Sequence, residues 1–385
     1  MLDYNMRWNK KTTIRFTFGR LCLLGLAVIG FVLMIYRLVN GLGVTTHLSD
    51  SWPWGFWLCC NMILSAVGSC GFAVAVLAYV FHIPQYQPLA RRALLLSFLC
   101  YLLVFLIFFM DLGRWDQFYW IFVSAAWTSP LYEAVICLLL GLIVQVFQLL
   151  EVWGDRYKPW VKLMARFFLP FFVLLACVLP FGQQAAYGAL YLAMPGKLHV
   201  IWYSAFLPWA FLITSFYGGL CFIALEYHLS NRYFREKSAY PMIGGVLRIA
   251  GVAMAVYLVL KGIDLSLRGV WGEVFAGSAA GNLFLLEIIA GVVIPLVLTL
   301  TPLGKNPKCQ LIAAVCGIFG MVLNRVNCVF TAMADHTGTF YFPSGSEIGI
   351  VLGMIAFVLV LYLFFVENLP VFRNKEDKKP EIVIR

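Results

Sequence analysis

The apolar residues of this chain lie in blocks of about twenty instead of alternating with polar residues. A block of that length crosses the roughly 30 Å hydrocarbon core of a bilayer when it is coiled as an α-helix. Lipid offers no hydrogen-bond partner to a backbone amide, so a block that crosses it has to be helical. Since 62% of the 385 residues are hydrophobic and only 12% are charged, the sequence predicts an all-α integral membrane protein.

Ten blocks are long enough to be transmembrane helices, and the charges between them predict their orientation. The predicted spans are 19–39, 54–81, 93–110, 130–151, 167–183, 200–226, 242–261, 279–301, 309–329 and 346–366. The connections on one side hold 21 lysines and arginines, and those on the other side hold 6. Because positive residues collect in cytoplasmic loops, both termini are predicted to lie in the cytoplasm and the chain in a bacterial inner membrane.

Composition also argues against several partners and cofactors. The net charge of +10 is explained by the cytoplasmic loops, and no arginine-rich stripe interleaved with aromatic residues indicates nucleic-acid binding. The eleven cysteines lie almost entirely inside apolar blocks and form no CxxC pair, so neither an iron–sulfur cluster nor a metal site is expected. None of the five histidines lies in the middle of a span, so no haem is expected either.

An internal repeat divides the chain into two halves. Each half carries an acid and an arginine at the end of one span and a glutamate at the start of the next: Asp111, Arg114 and Glu133, then Asp264, Arg268 and Glu287. The order predicts two four-helix bundles, flanked by one helix at each end and related as parallel repeats. The predicted units are 1–53 (N-terminus, first helix, outer loop), 54–183 (first bundle), 184–329 (outer loop, second bundle), 330–366 (outer loop, last helix) and 367–385 (charged cytoplasmic tail).

Ionisable residues cluster at the outer ends of the predicted spans. A charged side chain in the membrane costs free energy, so each of these residues is expected to have an ionic partner or a function. Asp111 and Arg114 would either form a structural ion pair or line a binding site. The same choice applies to Asp264 and Arg268. The sequence leaves both interpretations open.

Five further residues are candidates for proton or quinone chemistry. Glu133 and Glu287 have no lysine or arginine three or four positions away, so each is expected to be protonated or to face a polar cavity. His199 opens span six as either an interfacial side chain or a proton-exchanging ligand of a quinone carbonyl, since imidazole titrates near neutral pH. Tyr101 either relays protons or bonds a backbone carbonyl. Glu226, at the inner end of span six, either admits protons from the cytoplasm or is solvated there.

Eight short motifs follow one another along most of the chain. They are WPWGFW at 52–57, DLGR at 111–114, SPLYEAVIC at 129–137, KLHVIWYSAFLPWAF at 197–211, ALE at 224–226, LLEIIAGVVIP at 285–295, NRVN at 324–327 and YFPSGSEI at 341–348. In their order and spacing the chain resembles the NrfD/PsrC family of membrane subunits of respiratory oxidoreductases. It is similar in particular to the type in hydrogenase complexes (HybB type) and to the type in the high-molecular-weight cytochrome complex of sulfate reducers.

The resemblance implies a subunit without a redox cofactor of its own, which exchanges electrons between a periplasmic ferredoxin-like iron–sulfur subunit and exchangeable menaquinone near the outer face. Further implied partners are multihaem cytochrome c or hydrogenase subunits, other membrane subunits and lipid. The family's functional positions match Glu133, His199, Glu226 and Tyr101. Related sequences have proline where this chain has Val200 and Ala205, so the entry to span six is expected to be shaped differently.

These considerations give one leading hypothesis and two alternatives. The predicted quinone-binding residues are His199, Glu133, Asp111, Arg114, Trp54 and Trp202. The predicted proton pathway, which would take protons from the cytoplasm, is Tyr101, Glu133, Glu226 and Glu287. A secondary transporter would instead need spans broken at mid-depth, for which Pro208 and Pro295 are the candidates. An inert membrane anchor for electron-transfer subunits is the other alternative.

Overall fold

The computed structural model describes residues 17–152, 159–194, 196–234, 240–338 and 340–368. Ten long helices fill most of these ranges, and no strand occurs in them. The helices are α1 (Phe18–Asn40), α2 (Phe56–Ala78), α3 (Gln87–Asp111), α4 (Pro130–Val152), α5 (Pro159–Leu192), α6 (Leu207–Phe234), α7 (Tyr240–Arg268), α8 (Ala279–Leu300), α9 (Pro307–Ala334) and α10 (Gly345–Asn368). The predicted cytoplasmic segments 1–16 and 369–385 lie outside the described residues.

The length and composition of the helices fit a membrane protein. Within the described ranges, nine helices are long and apolar enough to cross a bilayer, all of them except α5. Helix α5 has 34 residues and contains the fifth predicted span, 167–183. The prediction of an all-α integral membrane protein is therefore confirmed.

The helices pack in two groups of four. In the first group, α3 and α5 each contact both α2 and α4; in the second, α7 and α9 each contact both α6 and α8. The groups meet where α6 lies against α2 and α5, while α1 and α10 pack on each other and against α3. This is the arrangement that the repeat predicts. The domain boundaries and the sidedness remain predictions, and we call the end where α3 finishes and α4 begins the predicted outer end.

Pairs of glycines let neighbouring helices cross at close range. A Cβ atom added to Gly30 of α1 would lie 2.5 Å from the Cα atom of Gly353 in α10. One added to Gly291 of α8 would lie 2.1 Å from the Cα atom of Gly320 in α9. Such crossings are typical of membrane helices, which associate through close van der Waals contact because lipid removes the usual hydrophobic driving force.

Helix α5 continues to Leu192, well past the predicted end of its span at residue 183. Its added turns carry Tyr187 and Tyr191, which are both buried between helices. A hydropathy pattern predicts contact with lipid, whereas these turns are enclosed by protein. The helix is therefore longer than its apolar block.

Two helices begin at other positions than the spans predict. Helix α6 begins at Leu207, so His199 lies in the connection before it and not at the start of a span. Helix α3 begins at Gln87, which places Arg92 inside a helix instead of in a cytoplasmic loop. Arg92 is buried and donates a hydrogen bond to the hydroxyl of Ser230 at 3.0 Å, so a partner within the protein satisfies it.

Neither candidate proline breaks a span at mid-depth within the described ranges. Pro208 lies in the first turn of α6, where the missing N–H has no helical partner to lose. Pro295 follows a wider π-helical turn at 289–293, and α8 continues through it. Similar π-helical turns occur at 76–80 and 327–331. The feature that would favour a transporter is thus missing from these two helices.

Candidate functional site

A cavity of about 160 Å³ opens at the predicted outer end, between the helices of the first group. Most of its wall is aliphatic or aromatic, and its polar groups come from Asp111 and Tyr187, with the indole of Trp54 beside them. The lining residues are Leu42, Leu48, Pro53, Trp54, Leu58, Phe108, Asp111, Leu112, Leu131, Ala134, Val135, Leu138 and Tyr187. An apolar cleft with few polar groups is the usual form of a small-molecule site.

Asp111 is the acidic group of the cavity. It is the last residue of α3 and is half-buried. Arg37 of α1 is fully buried close by, and its Nη2 donates to the carbonyl oxygen of Leu112. Leu112 directly follows Asp111, so the guanidinium of Arg37 lies beside the end of α3 that carries this carboxylate. A carboxylate placed between an apolar wall and one cation is suited to exchange a proton with a bound ligand.

Two aromatic side chains complete the polar part of the wall. Gln183 donates to the hydroxyl oxygen of Tyr187 at 3.3 Å, which leaves the hydroxyl hydrogen of Tyr187 for another acceptor. The ring of Trp54 packs edge-on against the ring of Tyr191, with centroids 5.9 Å apart. Trp54 and Asp111 are thus the two predicted quinone-binding residues that line the cavity.

Several buried polar atoms lie deeper in the first bundle. The hydroxyl of Tyr101, both amide atoms of Asn61 and the amide oxygens of Gln145 and Gln183 have no hydrogen-bond partner in the described part of the chain. Buried polar atoms normally have such a partner, either protein or water. A bond from Tyr101 to a backbone carbonyl, one of its two alternatives, is thus not found among the described residues, and the proton relay remains a prediction.

Glu133 and Arg114 do not line the cavity. Glu133 lies in the first turn of α4 with its side chain exposed, although its neighbour Ala134 lines the wall. Arg114 is largely exposed and forms an ion pair with Asp116 at 3.6 Å. The ion pair of Arg114 with Asp111, one of the two interpretations of this motif, does not form, because the chain turns away after α3 ends and carries the guanidinium outward.

Glu287, the repeat counterpart of Glu133, is buried in the second bundle. Its carboxylate accepts hydrogen bonds from the amide groups of Asn324 and Asn327, each at 2.8 Å, and from Trp202 and Tyr257, each at 3.4 Å. Of the two expectations for Glu287, protonation or a polar cavity, the polar cavity does not fit, since four donors of the protein surround the side chain. The NRVN motif at 324–327 was the sequence signal for two of these donors.

Arg325 connects the two bundles. It is fully buried in α9, where it donates to the amide oxygen of Gln184 and to the carbonyl oxygen of Phe211, both at 2.9 Å. Gln184 in turn donates to the hydroxyl of Ser65 at 2.7 Å. The six positive residues counted in the outer connections include Arg325, and that placement is wrong, because the side chain is buried and its partners lie on α5, α6 and α9 itself.

Asp264 forms the structural ion pair that was one of the two interpretations of its motif. Its carboxylate accepts from Arg268 at 2.6 Å and from Lys261 at 3.4 Å, and it also binds the hydroxyl of Ser204. Arg268 reaches further and donates to the carbonyl oxygen of Tyr203 at 3.0 Å. The end of α7 thus holds the connection that precedes α6.

His199 lies in this same connection. Its backbone N–H donates to the carbonyl oxygen of Ala332 at 2.9 Å, and its ring packs edge-on against Trp202 with centroids 6.0 Å apart. Neither His199 nor Trp202 is among the residues that line the cavity. Trp202 is buried and bonded to Glu287, so these two predicted ligands belong to the second bundle's network.

Glu226 lies at the other end of the molecule. It is mostly buried near the inner end of α6, and the hydroxyl of Tyr362 on α10 donates to it at 2.6 Å. The interpretation in which Glu226 is simply solvated does not fit this burial. Its predicted role in proton entry remains a prediction.

Glu347, another of the ionisable residues at the predicted outer end, is fully buried. Its carboxylate accepts from the backbone N–H groups of Ser344 at 2.7 Å and His47 at 3.3 Å, and from the hydroxyl of Tyr341. Burial, together with the bond to this carboxylate, raises the pKa of the Tyr341 hydroxyl above its usual range. The YFPSGSEI motif marked this segment, but the cluster forms only when it meets the connection after α1.

The fold and cavity define a class: a polytopic membrane protein with a small, mostly apolar cavity between helices at one end. The chain belongs to the NrfD family, because the family model "Polysulphide reductase, NrfD" matches residues 44–335. Helices α1 and α10 lie outside the matched segment.

Three relatives cover nearly the whole chain. A protein of Nitratidesulfovibrio vulgaris Hildenborough is 30% identical, over 91% of this chain and 94% of its own length. The probable Ni/Fe-hydrogenase 2 b-type cytochrome subunit of Escherichia coli K12 is 28% identical, over 90% of each chain. The menaquinone reductase integral membrane subunit of N. vulgaris is 24% identical, over 89% of this chain and 88% of its own.

Proposed function

We propose that this chain is the quinone-interacting membrane subunit of a multi-subunit respiratory redox complex. It exchanges electrons between a periplasmic iron–sulfur subunit and menaquinone, and the quinone headgroup binds in the cavity at the predicted outer end. Reduction of one quinone to the quinol takes two electrons from the partner subunit and two protons. Family membership and the similarity to a menaquinone reductase integral membrane subunit support this proposal.

The observation that carries the proposal is that Asp111 and Tyr187 both line a cavity whose wall is otherwise mostly apolar. A quinone headgroup is a flat apolar ring with a carbonyl oxygen on either side. Trp54 suits the ring, the free hydroxyl hydrogen of Tyr187 suits a carbonyl oxygen, and Asp111 suits proton exchange at the other oxygen. The aliphatic remainder of the wall suits the start of an isoprenoid tail.

Proton supply is proposed to follow the interior of the first bundle. Water bound to the unsatisfied atoms of Asn61, Tyr101, Gln145 and Gln183 would connect the cavity to the inner half of the bundle. Glu226 remains the proposed point of entry from the cytoplasm. Glu287 is left out of this route, because four donors hold its carboxylate in place.

Glu133 and His199 keep proposed roles outside the cavity wall. Glu133 lies on the exposed side of α4, next to the cavity residue Ala134, where it would exchange protons at the entrance. His199 lies in the connection between the bundles at the same predicted end, where a partner subunit would approach. Both proposals differ from direct ligation of the quinone.

The test uses the complete complex in liposomes with menaquinone. Asp111→Asn is expected to lower quinone-linked turnover at least about a hundredfold, the lower end of the range for a general acid–base group, and Trp54→Leu is expected to lower it through weaker quinone binding, while the complex still assembles. Glu273→Gln is the matched control, because Glu273 is an exposed acid at the same predicted end but outside the cavity. Unchanged turnover in both cavity variants would contradict the proposal.

The alternative of an inert anchor makes the opposite prediction. An anchor would hold the electron-transfer subunits without bound quinone, and turnover would be insensitive to inhibitors that resemble quinones. Extraction of quinone from the purified complex, compared between the wild type and Trp54→Leu, separates the two. A transporter would show solute uptake by the chain alone in vesicles.

A further inference from the structure

Helix α1 lies on the outside of the molecule, and only two of its 23 residues are buried, Gly30 and Arg37. Gly30 is covered by the crossing with α10. Arg37 lies near the predicted outer end, where a long basic side chain can usually extend to the membrane surface. It is instead fully enclosed. An arginine turned inward from a lipid-facing helix has a specific partner inside the protein.

That partner lies at the end of α3. Nη2 of Arg37 donates to the carbonyl oxygen of Leu112, while Nε and Nη1 have no hydrogen-bond partner within the described ranges. Leu112 directly follows Asp111, the acid of the cavity, so this bond places the positive charge beside the end of α3 that carries the carboxylate. The indole N–H of Trp115 donates to the carbonyl oxygen of Leu38 at 3.3 Å, which fastens the two segments together.

The positive residue that accompanies the aspartate comes from different places in the two halves of the molecule. Asp264 in the second half pairs with Arg268, one turn further along the same helix. Arg114 occupies the similar position after Asp111, but it is exposed and pairs with Asp116. For Asp111 of α3 the cation comes instead from another helix, α1, which lies outside the residues that the family model matches.

We propose that Arg37 is a positioning residue for Asp111: it holds the carboxylate at the wall of the cavity and offsets the negative charge of Glu347. The inference rests on the proposed function, since it concerns the same cavity. The ionisable groups that act on or near Asp111 are Arg37 from α1, Glu347 from α10, Tyr187 and Tyr191 from α5, and Tyr341 from the preceding connection. Arg37 is the one cation among these described groups.

The test compares Arg37→Met and Arg37→Lys in the complete complex, in liposomes with menaquinone. Methionine keeps an unbranched apolar stem and removes the charge. Arg37→Met is expected to lower kcat about tenfold and to shift the pH profile of turnover to higher pH, because the carboxylate loses the cation that favours its charged form. Arg37→Lys is expected to recover part of the rate and part of the pH profile, since lysine restores the positive charge but lacks the planar guanidinium group.

The matched control is Arg20→Met on the same helix. Arg20 is mostly buried at the inner end of α1, where it pairs with Glu367 of α10. Its loss removes a cation from the same helix far from the cavity, so the pH profile per assembled complex should stay unchanged. A pH profile that shifts equally in Arg20→Met would overturn the inference, as would a wild-type profile and rate in Arg37→Met.

Two further outcomes are informative. If Arg37→Met does not assemble, Arg37→Gln decides, because glutamine can still donate a hydrogen bond but carries no charge: a shifted profile supports the positioning role, and a wild-type rate and profile overturn it. Failure of the proposed function is recognised separately, since Asp111→Asn and Trp54→Leu would then retain turnover. If those two variants lose turnover while Arg37→Met keeps it, only the role of Arg37 is refuted.

Discussion

Replacing Glu287 by glutamine is expected to destabilise the second bundle, although the two side chains have the same shape. One carboxylate oxygen accepts from Asn324 and Tyr257, and the other accepts from Asn327 and Trp202. The amide of glutamine has one oxygen and one NH₂ group. In either orientation, the NH₂ group faces two donors that had an acceptor before.

The size of the effect follows from this count. A buried donor left without its acceptor costs about 1–3 kcal/mol, so two of them cost about 2–6 kcal/mol. A hydroxyl can rotate whereas the indole N–H cannot, so the lower end applies when the NH₂ group faces Tyr257. The loss is large because Glu287 is only 1% exposed and water cannot replace the acceptor.

The assay is thermal unfolding of the purified complex followed with a thiol-reactive fluorogenic dye. Cys59, Cys70, Cys221 and Cys328 are buried free thiols, so the dye reports their exposure. Each kcal/mol lowers the transition by about 2–4 °C in domains of 150–250 residues, and a drop of several degrees is expected. A transition indistinguishable from that of the exposed-acid control Glu273→Gln would refute the reasoning.

Two other variants test the packing. Gly30→Leu should separate α1 from α10 and lower the yield of assembled complex, because a Cβ atom there would lie 2.5 Å from the Cα atom of Gly353. The control is Gly25→Leu on the same helix, where an added Cβ atom would have nothing within 4 Å. Equal yields of the two variants would contradict the prediction. Arg268→Gln should speed hydrogen exchange of backbone amides in the connection before α6, since Arg268 donates to carbonyl oxygens there; unchanged exchange would count against this anchoring.

The two halves use similar acids for different purposes. In the second half, cations and neutral donors of the protein hold the carboxylates of Asp264 and Glu287 in place. In the first half, Asp111 faces a cavity and Glu133 is exposed on the outside of α4. The repeat therefore preserves positions in the sequence while the surroundings decide which acids remain available for chemistry.

The sequence alone determined the class of protein. Apolar blocks of the length of a bilayer, with few charges inside them, allow only membrane-spanning helices because the backbone cannot be satisfied otherwise. Ordered motifs were enough to indicate the family. These features depend on local composition and on the solvent, which is why no tertiary information was needed. The repeat likewise followed from residues that recur at similar spacing.

Only the tertiary structure decided which ionisable residues meet. Arg37 and Asp111 lie 74 positions apart in the sequence, and their proximity depends on how α1 crosses α10 and reaches α3. Glu287 appeared unpaired because a search at helical spacing finds only partners on its own helix, whereas its four donors come from other elements. Burial in the bilayer makes such long-range contacts obligatory for each charge, but local sequence does not say from which helix the partner comes.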